Sequence, residues 1–432
     1  MLIMNEKYPL FTVIIPEKDR AEYLEHTLKT CSLQEYPNFE VIVSDDCSED
    51  NSVEVAQKAA EKDPRIKVCA HEHHLGMRDN FEFALDKVKP GFVMALGGDD
   101  GLTPGCIWRM YEILMETNRK LLTWVPAGFT YPSEEGGDSI FNVRRKHASI
   151  EIRNSSVFLA QLAETFNYQV LGCPMFYIYG VASTELIDRV KSRTRDHSFY
   201  YCPTPDGYSG VVLAGEVEDY VMCYEPLSIG GTTIKSQGSN YRRTDAKARK
   251  EAEEFFNDNI RRTMHPELAS QQYSPLVTLM TADYLLTARD LPGWPGKVPE
   301  ISFENLIRKS FEFMANSSYD PAVLPRELHI LKEIAKQHNI MPLFDSLMQK
   351  TKKKRISGKQ IYGFAVTNSI RFSGNEVGVN NIYEAALATP FVYEFFGKFS
   401  HRQIGELIKN NTKIVYDRYA PRKKDNMPTI NE

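Results

Sequence analysis

The chain has 432 residues, of which 42% are hydrophobic, 25% charged and 11% aromatic, and its formal net charge is −5. That length exceeds a usual single core and predicts two or three domains, while the composition excludes a disordered or collagen-like chain. The slightly acidic balance excludes a general attraction to nucleic acid or anionic membranes, and no apolar run reaches the ~20 residues that span a bilayer.

The opening "MLIMNEKYPLFTVIIP" lacks the basic and long apolar regions of a secretory leader. Seven scattered cysteines, with no C-x-x-C pair and no metal-ligand spacing, suit a reducing compartment. The expectation is a cytoplasmic protein, at most attached to the inner face of the cell membrane. "LFTVIIP" is a β-branched run ended by Pro16, as expected of a strand buried on both faces. "RAEYLEHTLKTCSLQ" has helical apolar spacing, "FEVIVSDD" is a second buried strand, and "SVEVAQKAAEKD" is a helix with Ser48 or Asn51 as its N-cap. "RIKVCAH", "MRDNFEFALDKV", "GFVMALGG" and "PGCIWRMYEILMET" continue as strand, helix, strand and helix. Such alternation predicts a parallel sheet covered by helices, with ligands at the carboxyl ends of its strands.

Farther along, "LLTWVPAGFTYP" and "MFYIYGVAS" read as strands and "STELIDRVKSR" as a helix. "EVEDYVMCYEPLSIGG" reads as a strand followed by a proline-marked turn. From about residue 245 long amphipathic stripes take over, as in "SPLVTLMTADYLLTARDL" and "IYEAALATPFVYEFFGKF". The basic run "KTKKKR", Lys350 to Arg355, is read as a solvated connection between helices, with phosphate or lipid contact as the alternative.

Three strand ends meet if the sheet is parallel: "PEKDR" from the first, "SDDCS" from the second and "GGDDG" from the fourth. Each acidic pair alone reads as a turn. Together they repel one another unless a cation or the donors of a ligand offset them.

The ordered blocks "FTVIIP", "VIVSDDCSEDNS", "HHLGMRDNFEFAL" and "GFVMALGGDDGLTPG" resemble the nucleotide-binding half of a family 2 glycosyltransferase of the bacterial surface-polysaccharide type. The resemblance is clear from about Leu10 to Leu122, and it continues loosely to about Asn240. It implies the GT-A fold, a Rossmann-like mixed α/β sheet with helices on both faces, followed by a mainly helical C-terminal region. The implied domains are 1–244, with a nucleotide-binding half at 1–122 and an acceptor half at 123–244, and a helical region at 245–432.

It further implies an inverting transfer of sugar from a nucleotide-diphosphate donor, a UDP-sugar, to a saccharide or lipid-linked saccharide. Asp46 is implied to accept hydrogen bonds from the base, and Pro16, Glu17 and Asp19 to flank base and ribose. Relatives usually read "PTYNR" where this chain has "PEKDR". Arg78 and Asn80 match polar positions facing the nucleotide, with a surface helix position as the alternative for Arg78. Asp99 and Asp100 match the metal motif, with Asp99 also near the ribose. Hard carboxylate oxygens beside a diphosphate suit Mg²⁺ or Mn²⁺. Gly97 stands where many relatives carry an acid. Asp206, in "TPDGYSG", is the implied base for the acceptor hydroxyl; Pro205-Asp206-Gly207 is equally a turn signature, and Glu218 and Asp219 are the reserve.

His71, His73 and His74 form no recognised ligand set, and Trp108 and Trp124 read as packing residues. The segment Ser236 to Arg243 is a candidate lid, with Arg242 or Arg243 supplying charge. The helical region is a candidate surface for acceptor, membrane or a second copy of the chain. A dinucleotide-dependent oxidoreductase is excluded because "PEKDRAEYL" has no glycine for the phosphate turn. A catalytically degenerate binding or scaffold module remains the alternative, motivated by Gly97 and "PEKDR" and opposed by the retained acids.

Overall fold

The computed structural model describes residues 8–132, 137–144, 150–202, 204–234, 263–316, 324–353, 369–395 and 398–409. The first half of the larger sheet is parallel, in the order β3-β2-β1-β4. Its strands are β1 (Phe11–Glu17), β2 (Phe39–Asp45), β3 (Ile66–Ala70) and β4 (Phe92–Ala95). They are linked by α1 (Ala21–Ser32), α2 (Ser52–Lys62) and α3 (Met77–Asp86). Every residue of β1, β2 and β4 is buried, because helices cover both faces. Val13, Ile15, Val41 and Val43 pack into the layer of α1 and of α4 (Cys106–Thr117). Ile14 and Ile42 point the other way, to Phe81, Ala84 and Leu85 of α3. Parallel register sets Glu17 opposite Asp45 at the carboxyl ends of β1 and β2.

Beyond β4 the sheet becomes mixed, continuing through β10 (Gly180–Ser183), β6 (Leu121–Trp124), β11 (Asp219–Cys223) and β9 (Ile150–Asn154). β10 runs antiparallel to both β4 and β6. Helices α5 (Ser155–Thr165), α6 (Thr184–Arg193) and α7 (Pro205–Gly215) belong to this half. A second, five-stranded sheet has the order β13-β8-β7-β12-β5. It comprises β5 (Gly101–Leu102), β7 (Ala127–Thr130), β8 (Ile140–Arg144), β12 (Ser228–Thr232) and β13 (Ser369–Ser373). The predicted strand "LLTWVPAGFTYP" is therefore two, one in each sheet, broken around Pro126, which has no N–H to give a ladder. "MFYIYGVAS" is a strand only from Gly180 onward.

The C-terminal region is mainly helical: α8 (Val277–Arg289), α9 (Phe303–Asn316), α10 (Leu324–Gln337) and α11 (Met341–Lys353). α8 packs against α5 and α7, so it shares the core beneath the mixed half of the sheet. The helical pattern missed β13, which pairs with β8 and brings α12 (Gly374–Val377) and α13 (Ile382–Phe395) to the small sheet. Leu387 of α13 reaches Leu33 beyond α1, and Ser139 Oγ donates to the Val379 carbonyl, 240 positions away. The C-terminal segment thereby buttresses β5, the strand that directly follows Asp99 and Asp100. The 244/245 boundary, the Ser236 to Arg243 segment, Lys354 and Arg355 lie outside the described residues. Among those described, no helix is long and apolar enough to cross a membrane.

Candidate active site

The β1–α1 loop is tied to the β2–α2 loop by hydrogen bonds to its backbone. The N–H groups of Asp19, Arg20 and Ala21 donate to Ser48 Oγ, Ser52 Oγ and Asp50 Oδ2 at 2.9, 3.0 and 3.0 Å. Asp19 returns the bond by accepting from the Glu49 N–H at 2.7 Å. Asp46 serves the next loop: its carboxylate accepts from the N–H groups of Leu75 at 2.6 Å and Gly76 at 3.1 Å and lies 2.9 Å from His74 Nδ1. His71 meets Ser44 Oγ at 3.0 Å, and Asn80 Oδ1 accepts from the same hydroxyl at 2.6 Å. The histidines thus engage side chains of the second strand end.

Beneath these loops Glu17 lies against Asp45, 4% and 1% exposed. Among the described residues no donor reaches either Glu17 carboxyl oxygen or Asp45 Oδ1. Burial, then the adjacent Asp45 and Asp50, push the Glu17 carboxyl up to about 9, with Arg20 opposing. The folded chain therefore holds a proton that the unfolded chain releases. This contribution is fully present below the ordinary glutamate value of 4.5 and is lost as pH rises through about 9. The thermal midpoint is expected to fall across that window, and Glu17→Gln to flatten the slope. An unchanged slope in the variant would contradict a protonated Glu17.

The fourth strand end is a knot of oxygens. Asp100 is sealed in, with Oδ2 accepting from the Gly97 N–H at 2.7 Å and Oδ1 from the Gly231 N–H of β12 at 2.8 Å. Burial and the neighbouring Asp99 raise its pKa, against the pull of those two N–H groups. Asp99 faces Arg20 at 2.8 Å and the Thr233 hydroxyl at 3.3 Å. Thr27 Oγ1 donates to the carbonyls of Gly98 and Asp100 at 2.9 and 2.6 Å, fixing the turn to α1. A Cβ at Gly97 would stand 2.6 Å from the Tyr177 hydroxyl, 2.8 Å from Asp100 Oδ2 and 3.0 Å from Asp99 Oδ1. One at Gly231 would stand 1.9 Å from the Asp99 carbonyl oxygen. Glycine is thus required at 97 by three converging oxygens. Gly97→Ala is expected to cost about 1–3 kcal/mol by overpacking, read as a lowered thermal midpoint; an unaltered midpoint would show that the knot yields.

Tyr177 arrives on a strained turn. Ile178 has φ 64°, rare for a β-branched residue, and the Tyr179 N–H donates to the Tyr177 carbonyl at 2.8 Å, the geometry of a γ-turn. The turn is held by the Ile178 N–H on the Ala95 carbonyl at 2.8 Å and by Ser228 Oγ on the Ile178 carbonyl at 2.7 Å. Buried Trp124 donates to that same Ser228 at 2.7 Å, while Trp108 packs with Tyr8, Tyr36 and Tyr111.

Asp206 occupies the first turn of α7, after Pro205 at the helix start. Ser209 Oγ donates to the Asp206 carbonyl and accepts from the Phe176 N–H at 2.9 Å, which ties this helix end to the Tyr177 turn. Thr204, just before the helix, joins the hydroxyls of Tyr273 and Tyr284 at 2.9 and 2.8 Å. Asp206 Oδ1 is buried with no hydrogen-bond partner among the described residues. Burial raises the Asp206 pKa, opposed by N–H groups of the helix start. The Tyr177 hydroxyl stands beside Gly97, Asp99 and Asp100, and Ser209 ties the residue before it to α7, so the turn lies between the acidic knot and that helix.

The structure therefore gathers Glu17, Asp19, Asp46, Asp99 and Asp100 at adjoining strand ends. Pro16 precedes them within β1. Arg78 Nε donates to the Tyr200 carbonyl at 2.7 Å and its guanidinium meets Asp79 and Asp196 at 2.7 and 3.6 Å. Of the reserve acids, Asp219 is ion-paired with Arg119, and the Glu218 carbonyl accepts from Ser155. Sequence reasoning missed Asp45 as the partner of Glu17, Arg20 as the partner of Asp99, and Tyr177 altogether. Strand register could have paired the first two. The available donors for a cation are carboxylate oxygens, which fits a hard divalent ion. Among the described residues no three His, Cys, Asp or Glu are grouped so as to hold a metal ion by themselves.

The mixed α/β sheet, with helices on both faces and acids at the carboxyl ends of its parallel strands, has the architecture of the GT-A fold. Residues 12–156 match the sequence profile of Glycosyl transferase family 2. The chain is 31% identical over 113 residues to a putative teichuronic acid biosynthesis glycosyltransferase, TuaG, of Bacillus subtilis, covering 26% of this chain and 45% of the relative. It is 34% identical over 100 residues to the GalNAc(5)-diNAcBac-PP-undecaprenol beta-1,3-glucosyltransferase of Campylobacter jejuni, covering 23% of this chain and 32% of that protein. The chain thus spans less than half the length of both relatives. Among solved structures, S. aureus TarS 1-349 in complex with UDP-GlcNAc aligns with a TM-score of 0.44 at 13% identity, over 83% of this chain and 98% of that one.

Proposed function

We propose that the chain is an inverting glycosyltransferase that moves a sugar from a nucleotide-diphosphosugar, a UDP-sugar, to a saccharide or lipid-linked saccharide during surface polysaccharide synthesis. The observation that carries this reading is the Asp99–Asp100 knot linked to Asp206 through the Tyr177 turn, which meets the knot beside Gly97 and is tied to the Asp206 end of α7 by Ser209. The teichuronic acid and undecaprenol-linked chemistry in the names of the relatives supports the acceptor class.

In this reading the base and ribose lie over the β1 and β2 ends, near Pro16, Glu17, Asp19 and Asp46. Asp99 would hold Mg²⁺ or Mn²⁺, and Asp100 locks the turn that presents it. A bound divalent ion supplies charge stabilisation to the departing diphosphate. Asp206 takes the proton from the acceptor hydroxyl as its oxygen attacks the anomeric carbon from the face opposite the diphosphate. Its raised pKa makes it a better proton acceptor than an ordinary aspartate. Arg20 keeps Asp99 oriented by their 2.8 Å ion pair.

The test is a panel of UDP-, GDP- and dTDP-linked sugars, with Mn²⁺, with Mg²⁺ and with chelator, scoring release of free nucleotide. Turnover of at least one donor, reduced by chelation, is expected. No turnover and no binding of any donor would defeat the reading and favour a degenerate module.

A further inference from the structure

Gly97 leaves the acidic knot without a side chain on one side, and the Tyr177 hydroxyl fills that side. It stands 2.6 Å from where a Cβ at 97 would be, closer than either Asp100 Oδ2 or Asp99 Oδ1 at 2.8 and 3.0 Å. No described residue forms a hydrogen bond with that hydroxyl, although it stands beside the carboxyl oxygens of Asp99 and Asp100. The turn that delivers it is costly in backbone terms at Ile178, and strain of this kind persists only where the surroundings enforce it. Here they do: β4 holds the turn through Ala95, β12 through Ser228, and α7 through Ser209. Three separate elements thus fix a tyrosine whose hydroxyl bonds to none of them.

We propose that Tyr177 is a donor-binding residue whose hydroxyl, occupying the space beside Gly97, hydrogen-bonds the second phosphate in the diphosphate of the nucleotide-linked sugar. This rests on the glycosyltransferase reading given above. The phenol is a neutral donor at ordinary pH. It adds a hydrogen bond to the anionic diphosphate without adding a third negative charge to a knot that already holds two carboxyl groups. Gly97 and Tyr177 therefore act as a matched pair: a side chain at 97 would displace the hydroxyl.

The test is calorimetric titration of wild type and Tyr177→Phe with UDP and GDP, and with UMP and GMP, in buffer containing Mn²⁺. Thermal melting of both proteins controls for folding. Tyr177→Phe is expected to melt like wild type and to lose about tenfold or more in affinity for the nucleoside diphosphate that wild type binds, as for a hydrogen bond to a charged group. Affinity for the matching monophosphate is expected to change less than about twofold, because the lost contact is to the second phosphate. Equal diphosphate affinity in the two proteins, or an equal loss for mono- and diphosphate, would overturn the role of Tyr177. Wild type that binds no nucleoside diphosphate would instead remove the donor site itself, a result distinct from either.

Discussion

Asp206→Asn is expected to lower sugar transfer by about 10²–10⁴-fold, the usual contribution of a general base, while donor binding stays near that of wild type. The substitution keeps the shape of the side chain and its place in the first turn of α7. It removes the basic oxygen and little else. Asp206 Oδ1 bonds to no described residue, so an amide there breaks no existing contact. The same argument fixes a pH signature. Burial raises the Asp206 pKa, so the acid limb of the rate profile should lie above the ordinary aspartate value of 3.8, with activity rising as the carboxyl loses its proton. Parallel assays of rate and donor affinity against pH check both points. Substantial turnover in the asparagine variant would move the base to another residue.

Asp99 and Asp100 adjoin in sequence and should fail in different ways. Asp99→Asn is expected to reduce kcat/KM by about 10²–10³-fold, the loss seen when charge stabilisation of a leaving group is removed, and to blunt the response to Mn²⁺. It also leaves Arg20 without its 2.8 Å ion partner, so nucleotide affinity should fall as well. Asp100→Asn acts on the fold. An amide offers one oxygen where two backbone donors, Gly97 and Gly231, now each find one. One buried N–H loses its acceptor at a cost of about 1–3 kcal/mol, visible as a lowered melting temperature. Full metal-dependent activity in Asp99→Asn would contradict the assignment of the donor site. Unchanged melting of Asp100→Asn would contradict its role as the lock of the turn.

The parallel half of the sheet was legible because its signals are local. Continuous β-branched runs such as "FTVIIP" and "VIV" can only be strands covered on both faces, and the polar turns between them mark the helices. Parallel order then brings the acids of β1, β2 and β4 to one edge. What could not be read depends on contacts between distant segments. Arg20 gains its meaning from Asp99, Asp100 from Gly231, and Ser139 from Val379. β13 carries no sign that it joins a sheet begun far upstream. Tyr177 was hidden by its own composition: "MFYIY" has the residues of a strand, yet the left-handed backbone at Ile178 turns it into a hydroxyl-bearing corner. Glycine at 97 seemed from sequence to weaken the acidic motif. In the structure it is what admits Tyr177.

A nucleotide-linked sugar is expected to bind across the carboxyl ends of β1, β2 and β4. Hydrogen–deuterium exchange of the whole chain, with and without UDP and Mn²⁺, tests it most directly. Slowed exchange is predicted in residues 17–20, 44–48 and 97–101, with 176–180 joining them, while α9 to α11 stay unchanged. Protection confined to the helical region, or none at the three strand ends under saturating nucleotide, would contradict the account.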